Sequence, residues 1–464
     1  MVNELHTLNA RGVKAQPRRS DDPQVTSKGG MAAVQAFAKH IGLWKWLERL
    51  LPKRKDPTQG YSVAAVVCAQ IAGLISGGEG FSATEPLRGD APLLRLLGLD
   101  AAPSAETVEE VMKYLKKVSG VECLNRVQRR LAVKVLGCLG RRQLLELGAG
   151  FVPVWGDGSV LEVTGKKFDS IKVIKGKAGQ MCAGMFVGPM LTGMDFAEAG
   201  EGELSVVRPF LTQVFRGVLG PLKLVSDALV LLDSLYGDGP TFDLLESLRG
   251  SPAFIVGVQK LETAQKVMAE LPESSWREMG PDPARGLTSS AYARAWIQCE
   301  DWKKKRPMIC HRFTLAGEMV TNYAGVVTNL HHNDTRIIKL MKKWRLPLEE
   351  TIWKLYGRKQ ALENQWKELL SDLGLHHPPC AQAAVNAVFY GVAGLAYNLT
   401  VGVRRLGFTD PRDRDMRLWR FRREVIDLAA RTALHAGQVW VRLLDARDHL
   451  VDRLLSAMHR LARC

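Results

Sequence analysis

The stretch from Gly148 to residue 260 most constrains the fold, because strand-like and helix-like segments alternate along it. Strand composition with glycine punctuation occurs in VPVWGDGSVLEVTG, QMCAGMFVGPMLTG, PLKLVSDALVLLD and AFIVGVQK. Helical spacing of apolar residues occurs between them, in ELSVVRPFLTQVFRGV and GPTFDLLESLRG. This alternation predicts an α/β fold whose central strands are buried.

The segments on either side have a different character. Apolar residues recur at helical spacing from Gly30 to about Leu145, which predicts an all-α domain. Residues 261–330 mix short β-like runs with Pro and Gly turns. The predicted domains are a flexible basic leader (1–29), a helical domain (30–147), a first core part (148–260), a β-rich insertion (261–330), a second core part (331–403) and a basic C-terminal region (404–464).

The charge balance points to a polyanionic partner. The chain of 464 residues has 64 basic and 48 acidic residues, a net charge of +16. Such an excess favours nucleic acid or an anionic membrane surface, and the alternative is a protein that is merely basic. Basic residues cluster in four runs, the last two of which include aromatic residues, and such runs are typical of either a phosphate-binding face or a solvated face. These runs are PKRK (52–55), KKKRP (303–307), KLMKKWR (339–345) and DRDMRLWRFRR (413–423).

Several functional classes are excluded by missing motifs. The eight cysteines include no CxxC pair, which argues against a disulfide framework and a Cys-based zinc site. No P-loop and no GxSxG motif is present. The two long apolar runs, YSVAAVVCAQIAGLIS and AQAAVNAVFYGVAGLAYNL, contain Gln or Asn and are interpreted as buried helices. With no signal peptide at the N-terminus, we expect a cytoplasmic protein.

Carboxylates stand where apolar strands end. Asp157 lies between Gly156 and Gly158, and Asp233 follows the run LVLL. Glu363 follows Lys359 by four residues on a predicted helix. Three carboxylates brought together would repel one another unless cations lay between them, and two Mg²⁺ ions would satisfy such a site. The two glycines would then leave room for an ion and a phosphate.

Other acidic residues are weaker candidates. Asp227, six positions before Asp233, also follows apolar residues and remains an alternative second carboxylate. The remaining acidic neighbours are expected at the surface or at helix starts. They are Glu162, Asp195, Glu201 and Glu203.

The order of these residues resembles that of insertion-sequence DDE transposases, which have an RNase H-like catalytic core. The N-terminal run GYSVAAVVCAQIAGLISGGEGFSATEPLRGDAPLLRLLGL is similar to the helical DNA-binding region of that family. VWGDGSVLEVTGK and LLDSLYGDGPTFDLLESL resemble the segments around its first and second catalytic Asp, which implies Asp157 and Asp233. LYGRKQALENQWKELL resembles the segment around its catalytic Glu, which implies Glu363.

The signature around that Glu is matched in part. The family has Tyr, then Arg, Glu and Lys at intervals of three, four and seven residues, and Tyr356 and Glu363 match it. Lys359 stands at the Arg position beside Arg358, whereas Leu370 occupies the Lys position and Lys367 is a candidate substitute. The resemblance implies that Tyr356, Arg358, Lys359 and Lys367 contact DNA.

The resemblance also implies an activity. Two Mg²⁺ ions, for which Mn²⁺ can substitute, would support cleavage of double-stranded DNA at terminal inverted repeats and strand transfer into target DNA. A hairpin intermediate is compatible with the insertion at 261–330, where aromatic side chains could stack on an unpaired base. The candidates are Trp276, Trp296 and Trp302 within the insertion and Trp344 after its end. A homodimer on DNA and a nucleoid-associated location in a bacterium are expected. The alternatives are a domesticated, non-cutting DNA-binding protein and a two-metal nuclease.

Overall fold

A computed structural model describes most of the chain. The described residues are 22–54, 60–164, 167–174, 176–199, 201–259, 261–435, 438–444 and 448–463. Residues 1–21 of the predicted leader lie outside them. Residues 22–29 are not a loose segment, because Val25 and Thr26 pair with the C-terminal residues Arg431 and Ala430.

The N-terminal part is helical. Some of its helices begin at a side-chain cap: the Ser62 hydroxyl accepts a hydrogen bond from Ala65 N (3.1 Å), and Asp90 accepts one from Leu93 N (2.9 Å). Gly42, with φ of 79°, ends the first helix in the left-handed conformation. The elements are β1 (Val25–Thr26), α1 (Met31–Ile41), α2 (Leu43–Leu50), α3 (Val63–Ile75), α4 (Glu85–Arg88), α5 (Ala91–Leu97), α6 (Ala105–Lys117) and α7 (Gly120–Leu147).

A large mixed sheet with helices packed against it follows. Its elements are β2 (Val152–Glu162), β3 (Ile171–Ile174), β4 (Lys177–Val187), β5 (Met190–Phe196), α8 (Glu203–Val214), β6 (Ala228–Leu232), α9 (Gly239–Ser247), β7 (Ala253–Gly257), α10 (Leu261–Ala269), β8 (Arg277–Glu278), β9 (Leu287–Ile297), β10 (Arg306–Leu315) and β11 (Asn322–Thr328). The strand order is β3-β4-β2-β6-β7-β11-β10-β9-β8, and β5 pairs with β4. Strands β2, β6 and β7 are parallel to one another, and the other pairs are antiparallel.

The predicted β-rich insertion is continuous with this sheet. It begins with a helix, α10, and its strand β11 pairs antiparallel with β7 through Val326 and Gly257. An unpaired edge at β7 would expose backbone hydrogen-bonding groups, and β11 satisfies them. The meander β8–β11 therefore extends the central sheet instead of forming a sheet of its own.

The C-terminal part returns to helices and adds a small sheet. Its elements are α11 (Thr335–Trp344), α12 (Leu348–Gly357), α13 (Lys359–Asp372), α14 (Ala383–Gly407), α15 (Pro411–Arg414), α16 (Leu418–Phe421), β12 (Ala430–His435), β13 (Gln438–Leu443) and α17 (Asp448–Leu461). Strands β12 and β13 join β1 in the order β1-β12-β13. This sheet ties the two ends of the described chain together.

Helix α14 is the central helix of the core. By length and composition alone α14 could cross a membrane, but 94% of its most apolar 18-residue window is buried inside the protein. Helix α3 taken together with the sharply bent segment Gly80–Arg88 passes the same test of length and composition. Asn398 on α14 explains how a buried amide is tolerated. It accepts a hydrogen bond from Leu191 N (3.0 Å) and donates one to Leu191 O (2.7 Å), so it satisfies the backbone of β5.

Candidate active site

Two adjacent parallel strands bring Asp157 and Asp233 together. Trp155 on β2 lies opposite Leu231 on β6, so the same register continued by two residues places Asp157 beside Asp233. Strand β6 ends at Leu232, and the Asp233 carboxylate accepts a hydrogen bond from Leu235 N (2.9 Å) in the following turn. Strand β2 continues past Asp157, whereas its parallel neighbour β6 has already ended at that level of the sheet.

Helix α13 brings Glu363 to the same place. The indole of Trp366, one turn after Glu363, donates a hydrogen bond to the Ser159 hydroxyl (2.9 Å) and lies against Gly184 of β4. Ser159 and Asp157 are two residues apart on β2, so they lie on the same face of the sheet. Trp366 therefore fixes α13 across the strand that bears Asp157.

The electrostatics of Asp157 show that the three predicted carboxylates interact. Burial, together with the charges of Glu363 and Asp233, raises the pKa of Asp157 to about 6. The nearby Lys359 ammonium and a hydrogen bond from Gly158 N (3.0 Å) oppose that rise. Asp157, Asp233 and Glu363 thus form one carboxylate cluster, with Lys359 as its cation.

A fourth carboxylate, Glu203, belongs to this cluster. Of its two expected places, the surface or a helix start, Glu203 takes the second: it is the first residue of α8, but it is buried there, with 5% of its surface exposed. Burial and the charge of Asp233 raise its pKa to about 7, and the charge of the Lys359 ammonium opposes the rise. The sequence contains a pattern that predicts the burial of Glu203. Glu203 precedes Val206 and Val207 by three and four residues, which places it on the apolar face of α8.

The two glycines around Asp157 serve packing. A Cβ atom on Gly158 would lie 2.0 Å from Glu203 Oε2, and one on Gly156 would lie 3.1 Å from Val207 Cγ1. The space that the sequence assigned to an ion and a phosphate is therefore filled by α8, which packs directly on the backbone of β2.

Asp227, the alternative second carboxylate, lies at the other end of β6. It precedes Ala228, the first residue of that strand, about 20 Å from Asp233 at the usual rise of a strand. Its carboxylate is held by Arg141, with Nε to Oδ2 at 2.6 Å and Nη2 to Oδ1 at 2.8 Å. Asp227 thus fastens α7 to the sheet.

The cluster offers only oxygen donors, the ligand type that Mg²⁺ prefers. Across the part of the chain that the structure describes, no three His, Cys, Asp or Glu side chains lie close enough together to hold a single ion. Mg²⁺ is commonly bound through one or two carboxylates, with water and phosphate oxygens completing its shell. The donor set therefore fits ions held by pairs of carboxylates and by a bound substrate.

The residues expected to contact DNA differ in their exposure and in their contacts. The Tyr356 hydroxyl lies against Gly257 at the end of β7, and burial and the charges of Asp233 and Glu363 raise its pKa. Arg358 donates to Leu147 O (2.7 Å) at the end of α7. Lys367 is exposed one turn after Glu363.

Two further positions on α13 are buried. Lys359 is 5% exposed and ion-paired with Glu363. Leu370, at the family's Lys position, is 5% exposed and lies in the core.

Much of the basic excess is paired inside the protein. Arg306 in the KKKRP run is 2% exposed and bonds the α9 carboxylates Asp243 (3.1 Å) and Glu246 (2.9 Å). Arg422 donates to the carbonyls of Leu74 (2.7 Å) and Ile75 (2.9 Å).

One basic run does stay available. The exposed lysines of α11 make no ion pair with any described residue. They are Lys339, Lys342 and Lys343. The KLMKKWR run is therefore a free basic face.

Of the tryptophans considered for base stacking, one is exposed. Trp296 on β9 is 66% exposed, whereas Trp276 and Trp302 are 8% and 3% exposed and pack in the core. Trp344 is partly buried beneath the Lys354 ammonium, which lies 4.9 Å from its ring centre. Among these four tryptophans, Trp296 is the one with the accessibility that stacking on a base requires.

A model of one protein family matches this chain. The family is described as transposase DDE domain group 1, and the match covers residues 222–464, which include Asp233 and Glu363 but not Asp157. A solved structure of piggyBac transposase in a synaptic complex with hairpin DNA is similar with 10% identity and a TM-score of 0.39, over 86% of this chain and 80% of that one. No curated protein matches the chain.

Proposed function

Because this chain belongs to the transposase DDE domain group 1 family, as its resemblance predicted, we propose that it is the transposase of an insertion sequence. In this proposal it binds the terminal inverted repeats of its element, cleaves the DNA there and joins the ends to target DNA. Cut-and-paste transposition, with or without a hairpin, is the expected route.

The observation that carries the proposal is the cluster of Asp157, Asp233 and Glu363. The strand order of the large sheet also supports an RNase H-like core, which we infer here. The antiparallel strands β2, β4 and β5 are followed in the chain by β6 and β7, which run parallel to β2 on its other side. Asp157 lies within β2, Asp233 directly follows the neighbouring parallel strand β6, and Glu363 comes from a helix that lies across β2.

The reaction we propose needs divalent cations, which would activate water or a 3′-hydroxyl for attack on a phosphate and stabilise the leaving oxygen. Asp157 and Asp233 would hold them from the rigid sheet, and Glu363 from α13. Helix α13, fixed by Trp366 on one side of the cluster, and α8 on the other limit access of bulk water, which strengthens interactions between charges. The Tyr356 hydroxyl, beside Asp233, can donate a hydrogen bond to an oxygen held there.

The partner we propose is double-stranded DNA, bound by a homodimer that pairs two element ends. The net charge of +16 and the unpaired lysines of α11 support this choice. Exposed Trp296 is the candidate for stacking on an unpaired base. We place the protein in the bacterial cytoplasm, on the nucleoid.

Cleavage of labelled DNA with the element's own inverted repeats, in Mg²⁺ or Mn²⁺, tests the proposal. We expect Asp157→Asn, Asp233→Asn and Glu363→Gln each to lose at least a hundredfold in rate. The matched control is Glu162→Gln on the same strand β2, whose half-exposed carboxylate pairs with Lys177; it should cleave like the wild type.

The outcomes separate the possible functions. Equal rates for the wild type and Asp157→Asn would refute the assigned site. Binding of the repeats without cleavage would identify a non-cutting DNA-binding protein. Equal cleavage of DNA with and without the repeats would identify a nuclease.

A further inference from the structure

The ammonium group of Lys359 lies inside the carboxylate cluster. Its side chain is 7% exposed and ion-paired with Glu363, the residue one helical turn later. Asp157 and Asp233 are further electrostatic partners, and Lys359 also interacts with Glu203 on the opposite side of the cluster. One lysine is thus paired with Glu363 and interacts electrostatically with the other three carboxylates.

Burial of this kind is unfavourable for an isolated lysine, because an ammonium loses several kcal/mol of hydration in a protein interior. Desolvation alone would lower the pKa of Lys359, yet the pKa is raised, because the attraction of Asp157 and Glu363 outweighs it. The effect is mutual, since Lys359 lowers the pKa of both Asp157 and Glu203. The lysine and the carboxylates therefore each favour the charged form of the other.

We propose that Lys359 is an internal counter-cation that holds the carboxylate cluster together without metal and is displaced when divalent ions bind. This inference rests on the proposed function and adds to it a competition between the Lys359 ammonium and the divalent ions for the carboxylate oxygens. Divalent ions and the ammonium need the same oxygens, and the mutual repulsion of two cations would drive the lysine out. The long, flexible stem would let the released ammonium reach a DNA phosphate, so metal binding and the grip on DNA would be coupled.

The neighbouring helix offers a matched pair of variants. Lys359 and Lys367 lie four residues before and four residues after Glu363, but Lys359 is buried and Lys367 is exposed. We would measure binding of Mn²⁺ alone, without DNA, by titration calorimetry at pH 8 on the full chain. Lys359→Met should bind Mn²⁺ at least tenfold more tightly than the wild type, and Lys367→Met should bind like the wild type.

Thermal unfolding gives a second expectation. Without metal, Lys359→Met leaves four carboxylates with no cation among them, so its midpoint should fall below those of the wild type and Lys367→Met. Mn²⁺ should raise its midpoint by more than it raises theirs. If Lys359→Met binds Mn²⁺ no more tightly than the wild type does, the proposed competition between Lys359 and metal is refuted.

A measurement on the wild type keeps the proposal falsifiable if Lys359→Met does not fold. Lysine acylation followed by mass spectrometry should leave Lys359 protected without metal and label it when Mn²⁺ saturates the site, with Lys367 labelled in both states. Protection of Lys359 in both states would overturn the displacement. Mn²⁺ binding that persists in Asp157→Asn would instead refute the metal site of the proposed function.

Discussion

Replacing Gly158 by Ala tests the packing of the cluster directly. The new Cβ would lie 2.0 Å from Glu203 Oε2 and 3.0 Å from Glu203 Cβ and Cδ, whereas non-bonded carbon atoms are best about 3.5–4.0 Å apart. The backbone of Gly158 has no positive φ, so the substitution adds no strain there. The whole side chain of Glu203 has to move.

The expected cost follows from this contact. Overpacking of a filled interior costs about 1–3 kcal/mol, and an Ala in place of Gly gains back about 0.4–1 kcal/mol through the unfolded chain. We therefore expect Gly158→Ala to lower the free energy of unfolding by about 1–2 kcal/mol, measured by urea denaturation with tryptophan fluorescence. Gly156→Ala is the control, because its Cβ would make only 3.1 Å contacts, one with the flexible end of Met185 and one with Val207 Cγ1. It should cost under about 1 kcal/mol.

A double-mutant cycle assigns the cost to Glu203. Glu203→Ala removes the contacts of the new Cβ with Oε2 and Cδ and leaves only the 3.0 Å contact with the Cβ atom of residue 203. Gly158→Ala should then be close to neutral, and the coupling energy should be about 1–2 kcal/mol. The reasoning is refuted if Gly158→Ala is as stable as the wild type but no longer binds Mn²⁺. That result would mean that the glycine provides room for a ligand.

Three further outcomes are expected. Folding raises the pKa of Asp157 to about 6 and that of Glu203 to about 7, so their contribution to stability is present below about pH 4 and is lost as the pH rises through these values. Metal-free wild type should therefore lose stability relative to Glu203→Gln between pH 4 and pH 8 in urea titrations, and a constant difference would contradict this. Arg306→Met leaves two α9 carboxylates without their buried partner and should cost about 3–5 kcal/mol, against under about 1 kcal/mol for the exposed Lys304→Met, by the same assay. Asn398→Leu leaves both backbone groups of its β5 partner unpaired and should cost about 2–4 kcal/mol; a cost below 1 kcal/mol would show that water replaces the amide.

The sequence by itself determined the local features of this protein. Apolar spacing predicts the helices of the N-terminal part, and the run before Asp233 predicts a strand that ends there, because the periods of helix and strand are written in neighbouring residues. The pattern also identified Asp157, Asp233 and Glu363 as candidates from their positions in such elements. It favoured Asp233 over Asp227 but did not settle the choice, since both adjoin the same apolar run.

The tertiary structure decided how distant segments meet. The parallel register of β2 and β6 places Asp233 beside Asp157, while Arg141 on α7 engages Asp227 at the far end. The same long-range pairing extends the sheet through β11, joins β1 to β12 and buries Glu203 against Gly158. Each of these contacts joins residues more than forty positions apart in the chain. Local periodicity gives an element its buried face, but which partner covers that face depends on packing across the whole molecule.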